Sequence, residues 1–167
     1  MLPAVDLDRL REALARRAAG VTIVTTTTAE GLYGITVTAF CPVSERPPLV
    51  LVSIDSLTRT ADLLTESGIY GVSLLGGRQG FLADRFAGRG PLVNRRFDGA
   101  PYFTAATGAP LLRGCLAWLD CRTAAIHEAG DHLLFVASVE AAGPGAADSA
   151  LVYFDRRYYA LPVETET

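Results

Sequence analysis

Residues 21–28 read VTIVTTTT, a run β-branched throughout. Branching at Cβ crowds χ1 in a helix and suits the pleated surface of a sheet, so this run commits the chain to a strand. AEG at 29–31 supplies a turn, and YGITVTAF (33–40) returns as the partner strand. In that return Ile35, Val37 and Ala39 alternate with Thr36 and Thr38, giving one apolar face and one hydroxyl face. The hydroxyls look either into water or at a ligand.

The remaining elements follow from the same periodicities. DLDRLREALARR (6–17) predicts a short amphipathic helix with Asp6 as N-cap, an apolar stripe of Leu7, Leu10 and Leu14, and an end at Gly20. CPVSERPP (41–48) reads as an irregular connection, because proline donates no ladder hydrogen bond. LVLVSI (49–54) predicts a strand buried on both faces, and TRTADLLTE (58–66) a helix closed by Gly68. IYGVSLL is the next strand, GGRQ a turn, and GFLADRFAG a short helix ending at Gly88. Residues 89–110 form a surface excursion rich in Gly, Pro and Arg; GCLAWLDCRTAAIHE and HLLFVASVEAA make a long hairpin around AGD; LVYFD closes the set. The fold class is mainly β with short helices, arranged as a closed antiparallel barrel with helical decorations. One domain is expected over 1–167, with its core at about 10–161.

Composition narrows the function classes. Half the residues are hydrophobic and 20% are charged, which suggests apolar surface covered by a second copy, a homodimer. The net charge of −3 gives no electrostatic case for nucleic acid. No apolar stretch reaches the roughly 18 residues of a membrane span, and the N-terminus lacks a signal peptide's apolar middle, so no membrane association and a cytoplasmic location are expected. Cys41, Cys115 and Cys121 form no C-x-x-C pair, and the last two fall at even spacing in one predicted strand as small core residues.

There is no G-x-S-x-G elbow, no Walker A lysine and no H-E-x-x-H. LLGGRQGFL lies between strand and helix, but its glycines are wrongly spaced for a dinucleotide fingerprint and no βαβ unit surrounds it. HEAGDH gathers His127 and His132, which a hairpin could set face to face; a third ligand of suitable spacing is lacking, so the turn is read as carrying one functional histidine and no metal. DSLTRTADLL clusters Ser56, Thr58 and Thr60 at a strand-to-helix junction, where free N–H groups and the helix dipole favour a phosphate. Simple N-capping by Ser56 or Thr58 explains the same residues. Arg59 adds charge there. In DRRYYAL, Arg156, Arg157, Tyr158 and Tyr159 follow the last strand and fit a dimer or barrel-end surface.

GITVTAFCPVSERPPLVLVSID with its Ser/Thr-rich helix start, FAG at 86–88, RRF at 95–97, GCLAWLDC, AGDH at 129–132 and LVYFDRRYYAL together resemble the flavin reductase family. These are the reductase components of two-component flavin-dependent monooxygenases, built on an FMN-binding split β-barrel, and the resemblance runs from about Leu10 to Leu161. It implies NAD(P)H:flavin oxidoreductase activity with FMN or FAD, NADH or NADPH as hydride donor, and a partner monooxygenase. It implies that Thr36, Val37, Thr38 and Ala39 border the flavin. Ser53, Asp55, Ser56, Leu57 and Thr58 would hold its ribityl end and phosphate, and His132 and Tyr158 would lie at the nicotinamide. Relatives commonly read T-A-S-S-F at 36–40 and Asn-x-x-Ser at 55–58. Here Ala39 lacks a hydroxyl and Asp55 brings a carboxylate, which is expected to turn away from the phosphate. No catalytic side chain is expected, because hydride transfer is cofactor chemistry. The non-catalytic alternative is a flavin- or haem-binding split barrel acting as sensor or carrier. A vitamin-phosphate oxidase on the same barrel would not need the AGDH histidine.

Overall fold

The computed structural model describes residues 5–89 and 96–162. In chain order the elements are α1 (Leu7–Ala15), β1 (Ala19–Gly20), β2 (Thr22–Thr28), β3 (Gly31–Val37), β4 (Phe40–Glu45), β5 (Pro48–Asp55), α2 (Arg59–Ser67), β6 (Ile69–Leu74) and α3 (Gly80–Phe86). There follow β7 (Tyr102–Phe103), β8 (Leu111–Leu112), β9 (Ala117–Ala129), β10 (His132–Pro144), β11 (Ser149–Phe154) and β12 (Arg157–Pro162).

Seven strands form one antiparallel sheet in the order β3-β2-β6-β9-β10-β5-β4. Its two outer strands are consecutive in the chain, so residues 38 and 39 bridge from one edge to the other and the sheet curls into a split barrel; the Ser53 amide donates to the Ala39 carbonyl at 3.0 Å and extends the β4–β5 pairing into that link. Small sheets β1-β11-β12 and β7-β8 accompany it. One core cluster fills the barrel, with Val24, Val52, Ile54, Leu64, Tyr70, Val72 and Phe135 at its centre. A second lies outside it, where Ile23, Leu75, Leu82, Phe86 and Leu151 pack α3 and the small sheet onto β2.

The strand buried on both faces is therefore β2, not β5. Along β5 only Val50, Val52 and Ile54 are buried, in strict alternation. The threonines of β2 tolerate burial because their hydroxyls are satisfied: Thr26 donates to the Ile69 carbonyl at 2.8 Å, and Thr25 donates to Pro110 and Gly71 carbonyls.

Several expectations are corrected. The stretch after Ala39 is strand β4, with Pro42 inside it; a missing donor is tolerated because β4 lies at the edge of the sheet and is bulged between Pro42 and Ser44. The first helix is capped by Asp6, which accepts from the Asp8 amide at 2.9 Å, but it buries no residue. Its stripe of Leu7, Leu10 and Leu14 stays 63%, 41% and 58% exposed. It ends at Arg16, and Gly20 belongs to β1. LVYFD is not the last strand: Asp155 and Arg156 turn the chain into β12, which carries Tyr158 and Tyr159. Cys115 lies before β9, not in one strand with Cys121, although both are buried. Within the predicted excursion residues 90–95, including Arg95 of the RRF motif, lie outside the described residues. Among the described residues no helix is long and apolar enough to cross a membrane.

Candidate functional site

The alternating stretch Thr36–Ala39 spans the end of β3 and the link to β4. Thr36 faces neither open water nor an unengaged site, because its hydroxyl donates to the Ala83 carbonyl of α3 at 2.7 Å. Arg17 reaches the Thr38 carbonyl at 3.1 Å and fixes the link from behind. The amides of Thr38 and Ala39 fall outside the ladder, with no backbone partner among the described residues, and Ala39 is exposed. Two adjacent open N–H donors at a barrel seam are suited to the carbonyl and ring-nitrogen edge of a planar heterocycle.

On the other side of the seam, β5 delivers Ser53 and Asp55 and then turns into α2. Thr58 is the N-cap, its oxygen accepting from the Ala61 amide at 3.3 Å while its hydroxyl donates to the Asp55 carbonyl at 2.8 Å. Asp55 turns inward on its own loop and accepts from the Leu57 amide at 2.9 Å. Ser56 donates through both amide and hydroxyl to the Asp131 carbonyl, each at 3.0 Å. Leu57 is left 92% exposed at the tip. Arg59 turns away, forming an ion pair with Glu30 and lying 5.6 Å above the Tyr33 ring. The amides of Arg59 and Thr60, in the first turn of α2, are the donors that remain for an anion.

His132 opens β10 directly opposite Asp55. Its Nδ1 meets Asp131 Oδ1 at 2.7 Å, and this hydrogen bond, then the imidazole's charge, holds the Asp131 carboxyl below its ordinary range. The bond orients the ring and leaves Nε2 as its remaining polar atom. The AGDH histidine and the Ser56–Thr58 loop, joined by the Ser56–Asp131 bond across 75 positions of sequence, thus share one end of the barrel. His127 pairs with Leu134 instead of His132, and no group of three or more metal-ligating side chains occurs among the described residues.

Tyr158 stands apart. On β12 it packs 5.4 Å from Tyr153, and its hydroxyl accepts from Arg89 at 3.0 Å. Burial, opposed by the Arg89 charge, pushes its phenol up. Among the described residues no contact joins it to His132. Burial pushes the Cys115 thiol up and the Cys121 thiol up to about 12, which disfavours the thiolate form. Arg17, Ala83 and Asp131 were not legible as site residues, since each acts only through a partner brought by the fold.

The sequence model of the family described as flavin reductase like domain matches residues 14–162. The FMN reductase (NADH) RutF of Ancylobacter novellus is 36% identical over 159 residues, covering 95% of this chain and 87% of that protein. BorF, the flavin reductase component of a bacterial two-component tryptophan halogenase, superposes with a TM-score of 0.87 at 35% identity, covering 95% of this chain and 100% of that one. The styrene monooxygenase flavin reductase SMOB from Pseudomonas putida S12 gives a TM-score of 0.80 at 34% identity, over 93% of this chain and 99% of that one. With that span and a barrel of the same architecture, the chain belongs to the flavin reductase family.

Proposed function

We propose that this chain is a single-domain NAD(P)H:flavin oxidoreductase that reduces FMN or FAD and releases reduced flavin to a partner monooxygenase in the cytoplasm. The observation that carries the reading is the register pairing His132 with Asp55, fastened by Ser56 to Asp131, which sets the nicotinamide candidate beside the flavin loop. The names of its relatives support the same activity. A bound nicotinamide would supply a hydride to flavin N5 and leave the reduced ring negatively charged at its N1–O2 edge, so the protein contributes binding, orientation and donors at that edge.

The chain's own groups fit that task. The open amides of Thr38 and Ala39 bind the pyrimidine edge and favour the charge that develops there. Thr36 and Val37 form the wall beside them, with Thr36 limited to an acceptor by its bond to Ala83. Ser53 supports the ribityl chain; the amides after Thr58 take the phosphate, with Asp55 held on Leu57 and away from it. His132 orients the carboxamide and transfers no proton. Tyr158 closes the mouth from α3's side only if a second copy or the bound nucleotide brings it there, and a homodimer covers the exposed stripe of α1.

Anaerobic titration with NADH and NADPH, with FMN, FAD and riboflavin in turn, tests the reading. Bleaching of the flavin's visible absorption is the expected result. Bound flavin that never bleaches establishes the sensor or carrier instead. His132→Ala is expected to raise the KM for the nicotinamide; an unchanged KM and turnover removes His132 from the site.

A further inference from the structure

Arg17 lies outside the stretch that borders the flavin, yet it grips a peptide unit whose other end opens onto the seam. Its Nη2 donates to the Thr38 carbonyl at 3.1 Å, across 21 positions of sequence. That carbonyl and the Ala39 amide are the two ends of a single trans peptide, so a hold on the carbonyl aims the N–H to the opposite side. The next carbonyl, that of Ala39, is held by the Ser53 amide at 3.0 Å. Both carbonyls of the link are engaged, and the open donors are the amides of Thr38 and Ala39.

The base of Arg17 is fixed by the end of α1. Its amide donates to the Leu14 carbonyl at 3.1 Å, and the Ala15 carbonyl accepts from the Asp155 amide at 2.8 Å, which ties the helix end to the β11–β12 turn. A cation at a helix C-terminus ordinarily serves the last carbonyls. Here the side chain leaves them and crosses to the link. Its charge is not neutralised on the way. Arg11 pairs with Asp8 and Arg16 with Asp155, whereas Arg17 forms no ion pair among the described residues. The cavity that it shares with Arg11, Arg156 and Thr38 has no carboxylate in its lining.

A cation on a carbonyl draws electron density along the peptide and makes the N–H at its far end a stronger donor. We propose that Arg17 is a positioning residue for flavin reduction. Through the Thr38–Ala39 peptide it strengthens the amide that meets the N1–O2 edge, and so favours the reduced, negatively charged ring over the oxidised one. The inference rests on the flavin reading above and deepens it.

The test compares the binding of oxidised FMN with that of FMN reduced by dithionite, without oxygen and without nicotinamide. Arg17→Met removes the charge and the donor but keeps a long stem. It is expected to weaken reduced FMN about fivefold more than oxidised FMN, which lowers the midpoint potential of the bound flavin by about 20 mV for a two-electron couple. The factor is modest because Arg17 is exposed and solvent screens its charge. Arg17→Lys keeps a charged donor and is expected to stay within about twofold of the wild-type ratio. Arg9→Gln removes one charge from the same helix without touching the link, and is expected to leave the ratio unchanged. In the flavin-free protein, nitrogen–proton correlation NMR is expected to show the Ala39 amide nitrogen shifted upfield in Arg17→Met and unmoved in Arg9→Gln. Equal weakening of the two FMN forms in Arg17→Met, with flavin still bound by the wild type, would make Arg17 a tether alone and overturn the proposal. An unmoved Ala39 resonance, Arg17→Lys as low as Arg17→Met, or an equal fall in Arg9→Gln would overturn it too. A wild type that binds neither form of FMN overturns the reductase reading, and the proposal with it.

Discussion

Thr58 holds two positions in the chemistry of one loop, as acceptor for the Ala61 amide and as donor to the Asp55 carbonyl. Thr58→Ala is therefore expected to cost about 1 kcal/mol of stability through the lost cap. It is also expected to weaken FMN binding by about 1–2 kcal/mol, because the hydroxyl's two bonds hold the first turn whose amides take the phosphate. Thr58→Ser keeps both. Denaturant midpoints and FMN titrations on the pair separate the effects, and an FMN dissociation constant common to wild type and Ala removes Thr58 from the binding set. Both readings of the Ser/Thr cluster were legible in the sequence, and the structure shows the capping one in atoms. Asp55 illustrates what residues alone withhold. Its charge near a phosphate was visible at once, but its partner, the Leu57 amide, is a matter of local turn geometry.

The long β-branched and alternating elements were readable because their periodicity expresses burial on one face. That is why β2, β3, α2, β6, α3 and the β9–β10 hairpin fell where expected. The failures share a cause. Pro42 in β4 is tolerated only because no strand lies beyond it, and whether a strand is an edge is decided by the sheet, not the segment. Gly71 shows the same dependence from inside. A β carbon there would lie 2.5 Å from the Pro110 carbonyl and 2.7 Å from Thr25 Oγ1, since β6 runs under the loop that leads into β8. Gly71→Ala is expected to destabilise by about 1–3 kcal/mol in thermal or urea unfolding. No loss of stability would mean that the loop does not lie against β6.

At the scale of the whole molecule, an apolar composition must be reconciled with an uncovered surface. The mean hydropathy of +0.27 goes with the bare leucines of α1 and with exposed Phe81 and Leu161. A second copy covers them in the proposed homodimer. Sedimentation is expected to show a dimer, and Leu10→Gln with Leu14→Gln is expected to shift it toward monomer; a wild-type monomer at micromolar concentration refutes the proposal.

The sequence by itself determined a mainly β chain with short helices, the hairpins, the caps and the family's motifs, because these follow from periodicity and from turn chemistry within a few residues. Only the tertiary structure decided which strand is buried on both faces, that Thr36 serves α3, that His132 faces Asp55, and that arginines distant in sequence share one cavity. Sheet register and closure bring those groups together, and such long-range pairing leaves no local pattern in the chain.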